Sequence, residues 1–444
     1  MASSELAQSL EGSGIRFVRV VWCDSGNVIR GKAVSTRKLQ GDYFKHGVGI
    51  AAAQMAVPVQ ADFVAPESGL SPVGEVRLMP DWATLTTLPY APGQARVLGD
   101  MVKNGQPWTH CPRNFLKKQI AEADKAGFDL MASFENEFYL FKPNGPNWEP
   151  VDRTNFASTL AMDASRPVID EIADHLLAQK IPVEQYYPES GTGQHEMTVR
   201  YTNALAAADR QIVFRDTVRA TALRHGLRAS FLPKVFADQA GSGCHLHLSL
   251  WKGGQNLTPG GGDNLSPKAK SFLAGILHHM PALMAFTTPT SNSFRRIKPR
   301  TWAGAFRCWG MDNREAAVRV PSNPDGGGPT HIEFKTADAS ANPYLALGAV
   351  LAAGLDGVKQ NLTPPEPVNV DPADLSDDEK RKRGIVPLPG NLSGALHTFS
   401  SDLVLIGALG QEFAQSYLAV RHSEMQHFKG MDLADEVKLL LERY

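Results

Sequence analysis

The sequence predicts an α+β protein of two domains, in which a small β-rich domain precedes a larger domain of helices packed on a sheet. Three observations support this fold class. The first ~110 residues have β-rich runs and no long helical period, helical and strand patterns alternate after Pro112, and several strands of that second part carry ionisable residues on one face. The 444 residues also exceed the usual length of one domain.

The β-rich domain begins with a predicted hairpin. Residues 15–35 form two β-rich runs joined by the turn sequence Asp24-Ser25-Gly26-Asn27. Residues 50–110 stay rich in Val, Pro and Gly. We therefore expect a first domain of residues 1–110 and a second of residues 111–444.

The second domain opens with a predicted helix over 113–128. Phe115, Leu116, Ile120 and Ala123 lie on one helical stripe, and Gly127 is a suitable stop. The pattern predicts further helices over 164–180, 204–225, 341–360 and 400–420, and loops over 252–266 and 322–330.

Composition excludes several classes of protein. The chain has 45 Lys and Arg against 46 Asp and Glu, which argues against a nucleic-acid partner. Its four cysteines form no CxxC pair, so we expect neither a disulfide framework nor a thiolate zinc site, but a reducing, cytoplasmic compartment. No apolar run approaches the ~18 residues of a membrane span, and the first residues do not resemble a secretion signal. A GxxxxGK[ST] motif is absent, which excludes a P-loop nucleotidase.

Several predicted strands place ionisable side chains on one face and apolar ones on the other, because residues i and i+2 of a strand point the same way. The positions that share a face are Glu135 and Glu137 in SFENEFYLF, Glu196 and Arg200 in GQHEMTVRY, His245 and His247 with the polar Ser249 in CHLHLSL, and His331, Glu333 and Lys335 in HIEFK. REAAVRVP adds Arg314 and, five residues on, Arg319. For any one strand, a polar face in water is the simpler interpretation. Together, the faces concentrate Glu, His and Arg, and a sheet curved around them would enclose a charged cavity.

These residue types suit divalent cations and phosphate. Carboxylate oxygens with one imidazole favour Mg²⁺ or Mn²⁺ over structural zinc. Two such ions would nearly balance five glutamates, Glu135, Glu137, Glu189, Glu196 and Glu333. Arg296, Arg314 and Arg319 would then meet phosphate oxygens, so the pattern indicates phosphoryl transfer.

At these residues the sequence resembles the glutamine synthetase superfamily, in its bacterial type I branch. The resemblance covers essentially the whole chain, and its motifs occur in the family's order. They are FENEFYLF, ESGTGQHE (189–196), GSGCHLHLSL (241–250), NSFRRIKP (292–299), DNREAAVRVP (312–321), HIEFK (331–335) and ANPYLALGAVLAAGLDG (341–357).

The resemblance implies an N-terminal β-grasp domain and a catalytic domain with a curved antiparallel sheet flanked by helices. It also implies a dodecamer of stacked rings, with active sites between neighbouring subunits. The implied reaction is attack of the γ-carboxylate of L-glutamate on ATP, giving γ-glutamyl phosphate, followed by attack of an amine nitrogen.

The resemblance also implies residue roles. One metal would be held by Glu137, Glu189 and Glu196, and the other by Glu135, His245 and Glu333. The implied ATP contacts are Glu184, His247, Ser249, Arg314 and Arg319. The implied glutamate contacts are Gly241, Arg296 and Lys335, and the implied catalytic arginines are Arg296, Arg314 and Arg319.

The sequence departs from the family where ammonia would bind. The family's Asp-Gly-Ser-Ser segment, whose carboxylate binds ammonium, is replaced by HGVGIAAAQMAV (46–57), with no acid near Ala51–Ala53. Trp302 stands where the family carries a glutamate on a flap over the site. A neutral site cannot concentrate ammonium, whereas an indole offers an apolar wall and a π face to a larger amine. Lys335 replaces an arginine and Ala240 an asparagine, which weakens the implied glutamate contacts.

We therefore predict a γ-glutamyl-amine ligase that resembles the polyamine, anilide and monoamine synthetases of the superfamily. Three alternatives stay open at this point. Trp302 could be a packing residue in an enzyme that uses ammonia, the chain could be a non-catalytic relative, or its carboxylate substrate could differ from glutamate. The sequence does not identify the amine.

Overall fold

The computed structural model describes residues 3–39, 42–145 and 147–444. The α-helices are α1 Ser3–Gly12, α2 Asp42–His46, α3 Pro112–Lys125, α4 Thr159–Ala178, α5 Ala204–Arg224, α6 Pro267–Thr287, α7 Ser293–Arg296, α8 Pro343–Gln360, α9 Asp377–Lys382, α10 Leu392–Ser401, α11 Leu403–Leu409, α12 Gln411–Phe428 and α13 Leu433–Leu440. Short 3₁₀ helices span Thr36–Lys38, Ala52–Ala56 and Pro372–Asp374.

The strands belong to two sheets. They are β1 Phe17–Cys23, β2 Ile29–Ser35, β3 Val48–Ala51, β4 Glu75–Thr87, β5 Gln94–Lys103, β6 Gln106–Pro107, β7 Asp129–Asn144, β8 Asn147–Pro150, β9 Val183–Pro188, β10 Gln194–Val199, β11 Thr202–Asn203, β12 Arg228–Ser230, β13 Cys244–Lys252, β14 Gln255–Asn256, β15 Phe306–Met311, β16 Ala316–Val320, β17 Ile332–Phe334 and β18 Val386–Pro387.

The first sheet has the strand order β2-β1-β5-β4-β3, with β6 paired to β5. The predicted hairpin is confirmed, since β1 and β2 pair antiparallel around the turn at residues 24–27. Strands β1 and β5 pair in parallel. Helix α1 was not predicted, although Leu6 and Leu10, spaced by one helical turn, are buried in the same apolar core as the sheet.

The second sheet carries the ionisable faces. Its order is β18-β15-β16-β17-β13-β7-β10-β9, and the short strands β8, β11 and β12 pair with β7 and β14 with β13. The α+β fold class with a curved sheet and flanking helices is confirmed. The sheet is antiparallel except for β15 and β16, which pair in parallel.

Helices α6 and α8 form the centre of the large core under this sheet. They approach backbone to backbone through two glycines. A Cβ added at Gly275 would lie 2.2 Å from the carbonyl oxygen of Ala353, and one at Gly357 would lie 2.1 Å from that of Ser271. Because the two backbones lie so close, large side chains do not fit between them, which explains why α8 is rich in Ala and Gly at this contact.

The prediction of one helix over 400–420 is wrong. The segment holds the end of α10, all of α11 and the first half of α12. Asp402 separates α10 from α11 and accepts a hydrogen bond from the N–H of Leu405, as an N-cap does. Gly410, at φ +96°, separates α11 from α12. Apolar periodicity continued through both breaks and concealed them.

The two sheets are joined by buried polar contacts. Arg113, at the start of α3, pairs with Asp81 and Asp100 of the first sheet and with Asp209 of α5, at 2.8, 2.8 and 2.9 Å. The hairpin turn inserts Asn27, whose amide donates to the carbonyl oxygen of Ala339 at 2.9 Å. The first sheet is thereby fixed against the helices that support the second sheet.

Within the described residues no single helix has the length and apolar character needed to cross a membrane. A bent pair, Leu392–Ser401 and Leu403–Leu409, meets that requirement by length and composition alone.

Candidate active site

Five neighbouring strands bring the ionisable residues into one row across the second sheet. In register, Arg319 of β16 faces Glu333 of β17, and Glu333 faces His247 of β13. The next pairs along the row are His245 with Glu135 and Glu196 with Glu137. Strands that the sequence separates by up to two hundred residues therefore present one continuous charged surface.

One group in this row, the histidine side, consists of Glu135, His245 and Glu333. The Nδ1 atom of His245 lies 2.7 Å from Glu135 Oε1 and 3.2 Å from Glu333 Oε1. Glu333 also receives the Nε of Arg319 on its other oxygen and lies 3.4 Å from Lys335 Nζ. Each carboxylate of this group thus has a basic partner.

These partners set the protonation of the histidine side. Burial alone would raise the pKa of Glu135, but hydrogen bonds from His245 and His247 outweigh it, so the pKa lies below its ordinary value. Burial opposes ionisation of Glu333 too, yet the His245 hydrogen bond and the charge of Lys335 hold its pKa well below the ordinary value. Both carboxylates are charged at neutral pH.

The other group, the glutamate side, consists of Glu137, Glu189 and Glu196. The hydroxyl of Tyr187 donates between two of them, 2.7 Å from Glu189 Oε1 and 3.2 Å from Glu196 Oε2. Glu137 accepts from the N–H of Gly243 at 2.8 Å. Within the described part of the chain, no Lys or Arg forms an ion pair with these three carboxylates, and His245 Nε2 approaches Glu137 only to 3.9 Å.

Crowding without counter-charge raises pKa values on the glutamate side. Burial and the charges of Glu135, Glu137 and Glu189 raise the pKa of Glu196 to about 9. Burial and the charge of Glu137 raise the pKa of Glu189 in the same way. Buried carboxylate oxygens that lack a cation are the donor set that a hard divalent ion requires, so these residues fit Mg²⁺ or Mn²⁺.

Around Glu135 the donor set also fits a cation. Ligand atoms of Glu135, Glu137 and His245 lie within 4.8 Å of one another, so this group draws Glu137 from the glutamate side. Those of Glu135, His247 and Glu333 are equally close, with His247 in place of His245. Burial lowers the pKa of His245, but its hydrogen bonds to Glu135 and Glu333 outweigh burial, so the pKa is raised. The guanidinium of Arg296 reaches His245 Nε2 at 3.1 Å.

The glycine at 243 leaves room at the centre of the row. A Cβ there would lie 2.5 Å from Arg296 Nη2 and 2.7 Å from His245 Nε2. At Gly241 a Cβ would meet the Arg296 side chain at 2.7 Å. The Nη1 atom of Arg296 is buried without a hydrogen-bond partner. An unpaired buried guanidinium N–H is suited to a substrate carboxylate, the role expected for Arg296.

A cavity of about 470 Å³ opens beside the histidine side, between β13 and β10. Its lining includes three residues of the expected ATP contacts, Glu184, His247 and Ser249. Trp251 also lines it and donates from Nε1 to Ser249 Oγ at 2.8 Å. The cavity therefore joins an aromatic wall to the charged row, as a nucleotide site requires.

Two predicted site residues lie apart from the row. Arg314 is exposed on the turn before β16 and does not share the strand face of Arg319. Trp302 lies on the loop after α7 with its side chain 55% exposed. The sequence pattern predicts Arg314 in a strand, and this is wrong because β16 begins two residues later at Ala316.

Sequence reasoning missed three residues that organise the row. Tyr187 bridges the glutamate side, Gln194 donates to the carbonyl oxygen of Gly241 at 3.1 Å, and Gly243 makes the space described above. Signals for all three were present. Tyr187, in β9, is two residues before Glu189, and the other two lie within the motifs ESGTGQHE and GSGCHLHLSL.

Comparison with known proteins gives the family. Residues 109–439 match the glutamine synthetase catalytic domain, and residues 1–108 match the glutamine synthetase N-terminal domain. A γ-glutamylpolyamine synthetase of Streptomyces coelicolor is 37% identical over 97% of this chain and 94% of its own. A glutamine synthetase of Pyrococcus furiosus is 40% identical over 72% of each chain.

Solved structures agree with this assignment. A GmaS/ADP complex superposes with a TM-score of 0.86 at 32% identity and covers 100% of both chains. A structure described as a novel glutamine synthase homolog gives 0.86 at 31% identity over 97% of this chain and 99% of that one. The chain belongs to the glutamine synthetase family and is a ligase that joins glutamate to an amine or to ammonia.

Proposed function

We propose that this ligase uses ATP to join the γ-carboxylate of L-glutamate to an amine larger than ammonia. The observation that carries the proposal is Trp302, an indole with half its surface exposed on the loop that follows Arg296. The residues at Ala51–Ala53 add no acid, and Ala52 and Ala53 are themselves buried. An exposed indole without an acid beside it favours binding of an alkyl or aromatic amine over binding of ammonium.

The glutamate side and the histidine side would each hold one Mg²⁺ or Mn²⁺. When bound, the two ions would neutralise the phosphate oxygens and favour transfer of the γ-phosphoryl group. The nucleotide would occupy the 470 Å³ cavity along His247, Ser249 and Glu184.

The protein residues would act mainly by placing charge. Arg296 and Lys335, both buried, would together with Gly241 orient glutamate so that its γ-carboxylate faces the nucleotide. Arg319, at the end of the row, would bind the transferring phosphoryl group, and Arg314 would reach it from the exposed turn. The product of this step would be γ-glutamyl phosphate with ADP.

The amine nitrogen would then attack the γ-carbonyl carbon. The C–N bond forms, the C–O bond to phosphate breaks, and the amine loses a proton as inorganic phosphate leaves. Trp302 would cover the alkyl or aryl part of the amine and exclude water, which otherwise competes as the nucleophile.

The comparisons identify the family, but they do not distinguish a larger amine from ammonia as the nucleophile. A γ-glutamylpolyamine synthetase and several glutamine synthetases have similar identities to this chain. Ammonia is therefore the alternative nucleophile that an experiment must separate. Cytoplasmic location and assembly into a dodecamer of stacked rings stay predictions, and light scattering of the purified protein tests the latter.

A panel assay tests the proposal. Phosphate release from ATP, glutamate and Mg²⁺ is measured with ammonium and with alkylamines, anilines and polyamines. We expect at least one amine to exceed ammonium by tenfold or more in kcat/KM, and Trp302→Ala to lower that ratio by about tenfold. Leu403→Ala, at an 82% exposed position far along the chain, is the control and should change neither.

The converse variant sharpens the test. Trp302→Glu places an acid on the same loop and should improve ammonium relative to the preferred amine. If ammonium is the best nucleophile of the wild-type protein, the amine proposal is wrong and the chain is a glutamine synthetase.

A further inference from the structure

The loop that carries Trp302, residues 297–305, has an unusual backbone. Arg300 and Trp302 both adopt left-handed conformations, at φ +61° and +57°. Residues with a Cβ rarely adopt this conformation, and two of them in three residues require an external restraint. Their N–H groups converge on one point, and an acceptor at that point would hold the loop.

Glu315 is that acceptor. Its Oε1 accepts the N–H of Trp302 at 2.9 Å, and its Oε2 accepts the N–H of Arg300 at 3.1 Å. Hydrogen bonds to an ionised carboxylate are stronger than those between neutral groups, so one side chain restrains both left-handed residues.

Glu315 is itself held by a rigid turn. Its N–H donates to Asn313 Oδ1 at 3.0 Å. The amide of Asn313 donates in turn to the carbonyl oxygens of Val368 and Val370, at 2.6 and 3.0 Å. The carboxylate is therefore fixed relative to β16, which begins at the next residue.

The other contacts of the loop are weaker or local. The guanidinium of Arg300 reaches Asp374 at 2.6 Å, but both side chains are more than 60% exposed. Thr301 Oγ1 donates to the carbonyl oxygen of Lys298 at 2.7 Å and approaches that of Arg296 at 3.3 Å. The latter contact brings the loop back against the residue proposed to bind glutamate.

We propose that Glu315 is a positioning residue for the amine substrate, which holds the Trp302 indole in place through the loop backbone. The inference rests on the amine site proposed above. Glu315 follows Arg314 directly, so the same turn that carries a proposed phosphate-binding arginine also fixes the amine-binding loop. The phosphate and amine sides of the site then keep a constant relative position.

Substitution of Glu315 separates this role from a purely structural one. In Glu315→Ala the KM for the preferred amine should rise about tenfold, while the KM values for ATP and glutamate change less than twofold. Glu315→Gln, which keeps one acceptor oxygen, should give an intermediate amine KM and protects the test if the alanine variant does not fold. Asp374→Ala is the matched control, since it removes only the exposed ion pair on the same loop, and should leave the amine KM unchanged.

A double variant shows whether Glu315 acts through Trp302. If it does, Glu315→Ala added to Trp302→Ala raises the amine KM no further. If Trp302→Ala alone leaves the amine KM unchanged, the proposed amine site fails, and the inference about Glu315 fails with it.

Two results would overturn the inference alone. In the first, Trp302→Ala raises the amine KM but neither Glu315 variant does. In the second, the Glu315 variants raise all three KM values together and lower Tm, as general damage to the fold would.

Discussion

The histidine side and the glutamate side of the charged row have equal numbers of ligand residues but opposite electrostatics. On the histidine side, Arg319, Lys335 and the histidines neutralise Glu135 and Glu333, and the pKa values of both carboxyls are lowered. On the glutamate side the partners are neutral donors, and the pKa of Glu196 is raised to about 9.

The difference shows that one half of the site is preorganised by the protein and the other half depends on a cation. Basic neighbours hold the histidine side in shape before any ligand arrives. The glutamate side stores repulsion between buried carboxylates, which a divalent ion would relieve. The two halves should therefore respond in opposite ways when one carboxylate is made neutral.

The largest expected effect is loss of stability from Glu333→Gln. This change leaves the partly exposed Arg319 and the buried Lys335 beside a neutral amide, and breaking a buried ion pair from one side costs about 3 kcal/mol. Urea unfolding in EDTA measures the free energy of unfolding. Glu184→Gln, on the same sheet but half exposed, should change it by less than about 0.5 kcal/mol. If both variants lose the same free energy of unfolding, the ion pairs of the buried Glu333 contribute no more to stability than those of the exposed Glu184, which contradicts the prediction.

A smaller effect of opposite sign is expected for Glu196→Gln. The pKa of Glu196 is about 9 in the folded chain against an ordinary 4.5, so between these values the folded state keeps a proton that the unfolded state has released. Stability of the metal-free protein therefore falls as pH rises from about 5 to 9. The variant should be more stable than wild type at pH 8 by about 1 kcal/mol and show a flatter pH profile.

The measurement for this variant is urea unfolding in EDTA at several pH values. Added Mg²⁺ should stabilise wild type and should stabilise Glu196→Gln less, because one ligand is lost. A variant that is less stable than wild type at pH 8 without metal would contradict the view that this half of the site is strained by repulsion.

The smallest effect is expected at a charged cluster outside the site. His279 lies 2.6 Å from Asp402 and 3.1 Å from Asp356. Burial lowers the pKa of His279, but hydrogen bonds to the two carboxylates outweigh it, so the pKa is raised. Its stabilisation is complete below the unfolded value of 6.5 and is lost as pH rises through the folded value.

His279→Gln should therefore destabilise the protein by about 0.5 kcal/mol at pH 6 and less at pH 9. Mg²⁺ should stabilise this variant as much as wild type, since the cluster holds no proposed metal ligand. Thermal unfolding with and without Mg²⁺ at both pH values checks this. A metal response that differs from wild type would link the two regions and weaken the comparison.

Much of the site was predictable because a strand has a period of two. Glu135 and Glu137 share a face in any register, as do His245 and His247, and the alternating phenylalanines and leucines had to be buried. What the pattern could not give was the order of strands. That β13 lies between β17 and β7, and so places His245 between two carboxylates, depends on tertiary pairing.

The residues missed were those whose role depends on one specific contact. In the sequence, Tyr187 looks like an ordinary aromatic residue of a strand. Only the pairing of β9 with β10 places its hydroxyl between two carboxylates. In the sequence, Glu315 looks like an ordinary surface acid. Its role depends on the tertiary contact with the N–H groups of Arg300 and Trp302. Asp402 and Gly410 are residue types that often cap helices, so the sequence did contain a signal for both helix breaks. The continuous apolar periodicity nevertheless favoured a single helix.

Counting bound Mn²⁺ by electron paramagnetic resonance tests the central claim most directly. A titration of the wild-type protein should reach two ions per chain, and the Glu196→Gln variant should bind one of them at least tenfold more weakly. Saturation below one ion per chain, or an unchanged titration in the variant, would contradict the division of this charged row into two metal-binding halves.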